Sequence, residues 1–400
     1  MKKSTWLFLC FMVLNLVLAA CGPLGASTPV THPSSAFTPT SAPAGGYPAQ
    51  GVIPENTAYP APGQTPAETP TATLAPGTAV LNVMTHDSFA ASQPVIAAFE
   101  QANHVHINFI KSGDAGAALN KAILTKSSPV ADVFYGVDNT FLSRSLSAGI
   151  YAPYNSPLLA NIPAEFKLDP QNNVLPVDYG DVCINYDKAY FTKHSLAVPQ
   201  TLDDLTKPDY KGLLVMENPA TSSPGLAFLL ATIAHFGPDK YIDYWKSLRQ
   251  NGLVVVDGWE TAYYTNFSGS SGKGAQPLVL SYATSQAAEV VDANPPVSES
   301  PIGTIVGPQT CFRQIEFVGI LAGAQHRALA EKFVDFMLSP SFQEDMPLQM
   351  YVYPVNSQAK VPDVFTKNVT APAQPASMSP DEISKNRDAW IQAWTQAVLQ

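Results

Sequence analysis

Residues 22–78 hold 12 of the chain's 36 prolines and no Lys or Arg. The rest of the stretch is mostly Ala, Thr, Ser and Gly. Such a segment carries too little apolar side-chain surface to offset the entropy of ordering it. It is therefore expected to be a disordered, partly polyproline-like tether over 21–78. Any folded body must be built from about 79 to 400, which is long enough for two lobes and a large core.

Ahead of the tether, Lys2 and Lys3 precede the apolar run Trp6 to Leu18, which ends in Leu18-Ala19-Ala20-Cys21. This pattern reads as a secretion signal over 1–20 closed by a bacterial lipoprotein box. The run is too short to cross roughly 30 Å of hydrocarbon, so a spanning helix is the weaker reading. Cys21 is expected to carry lipid and hold the chain on the extracytoplasmic face of the membrane. The formal charge is −10, and losing Lys2 and Lys3 with the signal makes the mature chain more acidic. Nucleic acid is not an expected partner, because phosphate neutralisation needs a basic patch. A cationic ligand suits the charge better. With Cys10 removed and Cys21 lipidated, Cys183 and Cys311 remain, and in an oxidising compartment a disulfide is predicted, two buried thiols being the alternative.

Along 79–400 the pattern alternates strand and helix. Val80–Met84, His106–Ile110 and Ala131–Tyr135 read as strands. Ser92–Asn103, Gly116–Lys126, Asn139–Ala148, Pro224–His235, Asp239–Arg249, Ala324–Leu338 and Pro340–Met346 read as helices. Ser379 with Pro380, Asp381 and Glu382 marks the start of a last one. This alternation predicts an α/β architecture with mostly parallel sheets. Enzyme motifs are missing: there is no Gly-x-Ser-x-Gly, no His-Glu-x-x-His and no complete phosphate loop. His104-x-His106 lacks a third ligand, so no metal or cofactor is expected.

Acidic and aromatic residues instead gather where strands and loops are predicted to end. They are Thr85-His86-Asp87-Ser88-Phe89, Gly136-Val137-Asp138-Asn139, Asp178-Tyr179-Gly180-Asp181, Thr221-Ser222-Ser223-Pro224-Gly225, Gly258-Trp259-Glu260 and Ser281-Tyr282-Ala283-Thr284-Ser285. In open α/β sheets ligands bind outside the carboxyl ends of strands. Acids and rings converging there suit a flat aromatic cation, through charge and cation–π attraction. Each residue also has a plainer reading: Trp259 and Tyr282 as packing residues, Asp178 and Asp181 as turn caps, Asp87 as a helix cap. Ser268–Gly274 reads as a surface loop without function.

Those segments, together with Tyr263 in Trp259-Glu260-Thr261-Ala262-Tyr263 and with Tyr353-Pro354-Val355, resemble the thiamine-binding lipoproteins and periplasmic proteins of ABC transporters. The resemblance runs over the whole of 79–400 and extends to the related ferric-iron and polyamine receptors. It implies a two-lobed periplasmic-binding-protein type II fold, with 79–179 and 312–400 as one lobe and 180–311 as the other. On that reading Cys183 and Cys311 lie just beyond the two crossover points. It also implies a monomeric receptor that captures thiamine or a thiamine phosphate and delivers it to a permease and its ATPase. Trp259 and Tyr282 would sandwich a ring, with Tyr263 or Tyr179 closing the site. Asp87, Asp138 and Glu260 would face the cation, and Ser222 and Ser223 a hydroxyl or phosphate at a helix start. His86 stands where the family has Tyr. Adjacent Tyr263 and Tyr264 leave ferric iron open as a rival ligand, and a polyamine is the other.

Overall fold

The computed structural model describes residues 78–271 and 274–400. The signal segment, Cys21 and the tether through residue 77 lie outside the described residues. Among the described residues eleven strands form one sheet: β1 (Ala79–Thr85), β2 (Val105–Lys111), β3 (Val133–Asp138), β4 (Tyr151–Ala152), β5 (Leu175–Asp187), β6 (Leu214–Glu217), β7 (Val254–Val256), β8 (Leu278–Tyr282), β9 (Ile302–Ile305), β10 (Phe312–Leu321) and β11 (Tyr353–Pro354). The path runs β2-β1-β3-β10-β5-β8-β6-β7.

The sheet has two parallel halves. β2, β1 and β3 are parallel at one end, and β7, β6 and β8 at the other. Between them β10 and β5 pair with each other and with their outer neighbours β3 and β8, always antiparallel. The expectation of mostly parallel pairing is thus corrected: these two long strands carry the chain from one half to the other and run against both. β5 also corrects a local reading. Leu175–Val177 and the polar Asp178-Tyr179-Gly180-Asp181 are not strand and turn but parts of one thirteen-residue strand. β10 on one edge and β11 on the other supply the hydrogen bonds that a turn would otherwise have offered.

Local chemistry explains the elements that position the site. The apolar run of β1 is buried at Leu81, Val83 and Met84. Helix Gln93–Asn103 starts after Ser92 with Pro94 in its first turn, and buries Ile96 and Phe99. These pack with Phe333 and Val334 of helix Arg327–Leu338 into one core. A second core runs from Phe134 and Phe141 through Phe228 and Trp245 to Trp394. Helix Pro380–Val398 therefore packs on both Leu142–Ser147 and Tyr241–Gln250, reaching both halves of the sheet. Its start is capped as predicted, with Ser379 Oγ accepting from Glu382 N at 3.2 Å. The helix predicted over Pro340–Met346 is instead two short turns, Pro340–Gln343 and Met346–Gln349. Ser268–Ser271 is a short helix rather than a loop, and Ser268 Oγ donates to Asp187.

Cys183 lies within β5 and Cys311 directly precedes β10. They are joined in a disulfide that ties the two crossover strands. Among the described residues no helix is long and apolar enough to cross a membrane.

Candidate functional site

A cleft opens where strand ends from both halves meet the crossover strands. Its wall includes His86, Ser88, Asp114, Ser223, Trp259, Tyr264, Tyr282, Glu316 and the segment Met350–Val352. Asp114 and Trp259 also border an adjoining recess lined by Asp87, Asp257 and Glu260. Neither lining contains a Lys or Arg.

The aromatic wall is built on fixed supports. Trp259 stacks on Tyr263 with centroids 5.0 Å apart and planes 17° from parallel. Its Nε1 donates to Ser281 Oγ at 2.8 Å and its backbone N to Asp114 Oδ2 at 3.0 Å. Tyr264 meets the indole edge-on at 5.4 Å. One turn of π-helix, Thr261–Asn266, sets these rings, a feature that recurs at functional sites. Tyr282 ends β8, lies over Gly180 of β5 and donates its hydroxyl to Gln314 Oε1 at 2.8 Å. A Cβ at Gly180 would stand 2.9 Å from Tyr282 Cδ1, so that approach requires glycine. His86 depends likewise on Gly136, whose φ is +105° and whose Cβ would stand 2.3 Å from the imidazole.

The acids are mostly buried. Asp114 caps helix Ala115–Leu124, accepting from Ala115 N at 2.6 Å. Burial raises its pKa, opposed by the donors at Trp259 and Ala115. The Ser222 hydroxyl is near enough to stabilise that charge but outside good hydrogen-bond geometry. Glu217 ends β6 fully buried with neither carboxyl oxygen paired, and desolvation, then repulsion from Asp114, pushes its pKa well up. Asp138 accepts from Thr140 Oγ1 at 2.8 Å, from Phe141 N at 3.2 Å and from Gln314 Nε2. Burial still raises it to about 6. Desolvation lowers His86 to about 4, with Lys111 adding to the effect, so the imidazole is neutral at physiological pH. Its 3.4 Å approach to Glu316 is then no ion pair.

The fold brings His86, Trp259, Tyr282 and Ser223 to the cleft, and Asp87 and Glu260 to the adjoining recess. Asp87 also accepts from Gly113 N at 2.7 Å, bracing the turn after β2. Other expected site residues sit off the wall. Tyr263 is buried behind Trp259 with its hydroxyl on Glu289 at 2.7 Å. Tyr179 is stacked between Phe166 and Tyr353, beneath the Arg313 guanidinium. Asp138 reaches the cleft only through Gln314 and Tyr282, and Ser222 is buried at the helix start. Asp181 is paired with Arg313 at 2.8 Å. Sequence reasoning missed Asp114, Glu316 and Met350–Val352, and raised Tyr264 only as a partner of Tyr263 for ferric iron. Asp114 follows β2 as Asp87 follows β1, so the strand-end rule applied to it equally. Glu316 had a signal of another kind, a charge inside an apolar strand.

Fold and cleft define a class, the two-lobed type II solute receptors. The chain belongs to the bacterial extracellular solute-binding proteins, its residues 128–386 matching the family. Members of that family are receptors, and this chain is a solute-binding protein rather than an enzyme. It is 32% identical over 324 residues to the thiamine-binding periplasmic protein of Escherichia coli K12, covering 80% of this chain and 93% of that one. The protein of the same name from Brucella suis biovar 1 is 29% identical over 322 residues, covering 79% and 91%. A solved periplasmic thiamin binding protein superposes with a TM-score of 0.70 at 30% identity, over 80% of this chain and 96% of that one. A ferric binding protein from Campylobacter jejuni reaches 0.65 at 19% identity, over 79% and 99%, and shares the fold.

Proposed function

We propose that the chain captures thiamine, or a thiamine phosphate, in this cleft and passes it to an ABC importer. The observation that carries the reading is a wall of rings and carboxylates without a Lys or Arg. A flat heterocycle with positive charge gains cation–π attraction from Trp259 and Tyr282 and opposite charge from the acids. The relatives named for thiamine favour that cation over others. The amides at the start of helix Ser223–Phe236 leave room in the reading for a phosphate. Closure would bring 79–179 with 312–400 toward 180–311, hinged on β5 and β10. Anchoring through Cys21 and the tether would keep a monomeric receptor within reach of its permease, outside the cytoplasm like the periplasmic relatives.

Ferric iron fits less well. It would recruit the Tyr263–Tyr264 pair as phenolates, yet Tyr263 donates its hydroxyl to Glu289 and burial holds its pKa far up. A polyamine would need acids spread along an elongated groove, whereas these acids gather around one cleft. Thermal shift of the purified protein separates the three, since a ligand that binds only the folded state raises the melting point. Thiamine or its phosphates should raise Tm in wild type and much less in Trp259→Ala. A shift with ferric citrate or spermidine and none with thiamine would overturn the assignment.

A further inference from the structure

Three carboxylates stand side by side across the crossover. In register, Glu316 of β10 faces Asp138 of β3 on one side and Asp178 of β5 on the other. Directly opposed residues in antiparallel strands share a face, with Cβ atoms about 5 Å apart. Asp138 and Asp178 are fully buried, and the Glu316 side chain, 12% exposed, is the member that reaches the cleft. Among the described residues no Lys or Arg sits between them. Arg313 is committed to Asp181, Arg387 stacks on Phe141 beyond Asp138, and Lys111 is felt at His86. Glu316 is faced by His86 after β1, Tyr135 and Asp138 on β3, Asp178 on β5 and Tyr282 on β8. Tyr351 is the titratable group on the cleft's remaining edge.

Hydrogen counting then decides the protonation. The Tyr135 hydroxyl lies 2.7 Å from Asp178 Oδ2 and 3.0 Å from Glu316 Oε2. A phenol has one hydrogen and an ionised carboxylate has none. With both acids charged, one of these contacts would set two acceptors against each other in a buried site. The shorter contact takes the tyrosine's hydrogen to Asp178, and a second hydrogen on Glu316, which reaches both the Tyr135 oxygen and Asp178, satisfies the rest. We propose that Glu316 stores a proton through Tyr135 and Asp178 while the cleft is empty, and that an entering cation displaces it to solvent. In balance, the protonated receptor and the cation give the complex and one free proton. Desolvation, followed by repulsion from Asp178 and Asp138, raises Glu316 well above the carboxylate range, and burial lifts Asp178 to about 6. Closely spaced buried carboxyls behave this way because they cannot all ionise. Glu316 thereby becomes the residue that selects a charged ring over a neutral one of the same shape.

The displacement rests on the thiamine reading; the stored proton does not. Infrared difference spectra of ligand-free protein at neutral pH, wild type minus Glu316→Gln, should show a protonated-carboxyl band that shifts in Tyr135→Phe, apart from the band that buried Glu217 keeps in every variant. No such difference band overturns the stored proton. Adding thiamine should abolish the band that Glu316→Gln removes. Calorimetry in buffers of different ionisation enthalpy should then find about one proton released per thiamine bound. Thiamine affinity should rise up to about tenfold per pH unit while Glu316 is protonated in the empty site, and should lose that dependence in Glu316→Gln. Thiamine binding with the band intact and no proton released overturns displacement and leaves the vitamin assignment standing. No thiamine binding with the band present removes the vitamin assignment and the displacement together.

Discussion

Asp138→Asn should make the empty receptor more stable at neutral pH and less stable in acid. In the folded protein the carboxyl is raised from 3.8 to about 6, chiefly by desolvation. A raised folded pKa means the native state binds the proton more tightly than the unfolded chain. The benefit is complete below pH 3.8, is lost progressively as pH rises to about 6, and leaves a constant penalty above that. Just over two pKa units correspond to about 3 kcal/mol. Asparagine removes that penalty and keeps an oxygen for Thr140 and Phe141. Its amide nitrogen meets the Gln314 amide, costing about 1 kcal/mol for the lost hydrogen bond. The variant should gain about 2 kcal/mol at pH 8, or roughly 4 °C in Tm, and lose about 1 kcal/mol at pH 4. Thermal unfolding of ligand-free protein across this range reads the crossing directly. A difference of the same sign and size at both ends would refute desolvation as the origin of the strain.

Other substitutions probe the wall and its supports. Trp259→Ala should weaken thiamine binding about tenfold or more, the measure of a partly desolvated cation–π contact; calorimetry that finds wild-type affinity would remove the indole from the site. Gly180→Ala puts a methyl 2.9 Å from Tyr282 Cδ1 and should displace that ring. An overpacking cost of about 1 kcal/mol or more should appear in affinity, and a crystal structure with Tyr282 unmoved would contradict it. Replacing Cys183 and Cys311 together by Ser opens a crosslink spanning 128 residues. Loop-closure entropy sets an upper bound of about 5 kcal/mol on the destabilisation, read as a lower urea midpoint, and an unchanged midpoint would mean the bridge contributes nothing.

How much of this was legible in the sequence depended on whether backbone or side-chain direction was asked for. Apolar runs and cap chemistry located β1, helix Gln93–Asn103 and the Ser379 cap within a residue or two. Reading failed at β5, where Asp178, Gly180 and Asp181 look like turn residues. They are polar and small for tertiary reasons: Asp178 accepts from Tyr135, Asp181 holds Arg313, and Gly180 admits the Tyr282 ring. Strand-end acids and rings were taken as one set, but which of them face inward was not readable. Trp259 and Tyr263 are four residues apart and stacked, yet one lines the cleft and the other backs it. Only the π-turn geometry separates them.

The departures from local rules fall almost entirely on the crossover strands and the strand ends beside them. β3, β5 and β10 contribute Asp138, Asp178 and Glu316, all with pKa values raised by burial, and β6 adds the unpaired Glu217. Each is a destabilising choice that an apolar residue of similar volume would avoid. Sequences tolerate such conflicts where function requires them and compensate elsewhere. Here the compensation is covalent and adjacent, because the disulfide joins β5 to the residue before β10. A crosslink at that place restrains the unfolded chain while leaving the two parallel halves untied at their outer ends. On the reading proposed above, the acids therefore remain available for a cation to neutralise, and ligand binding would relieve strain that folding alone leaves in place.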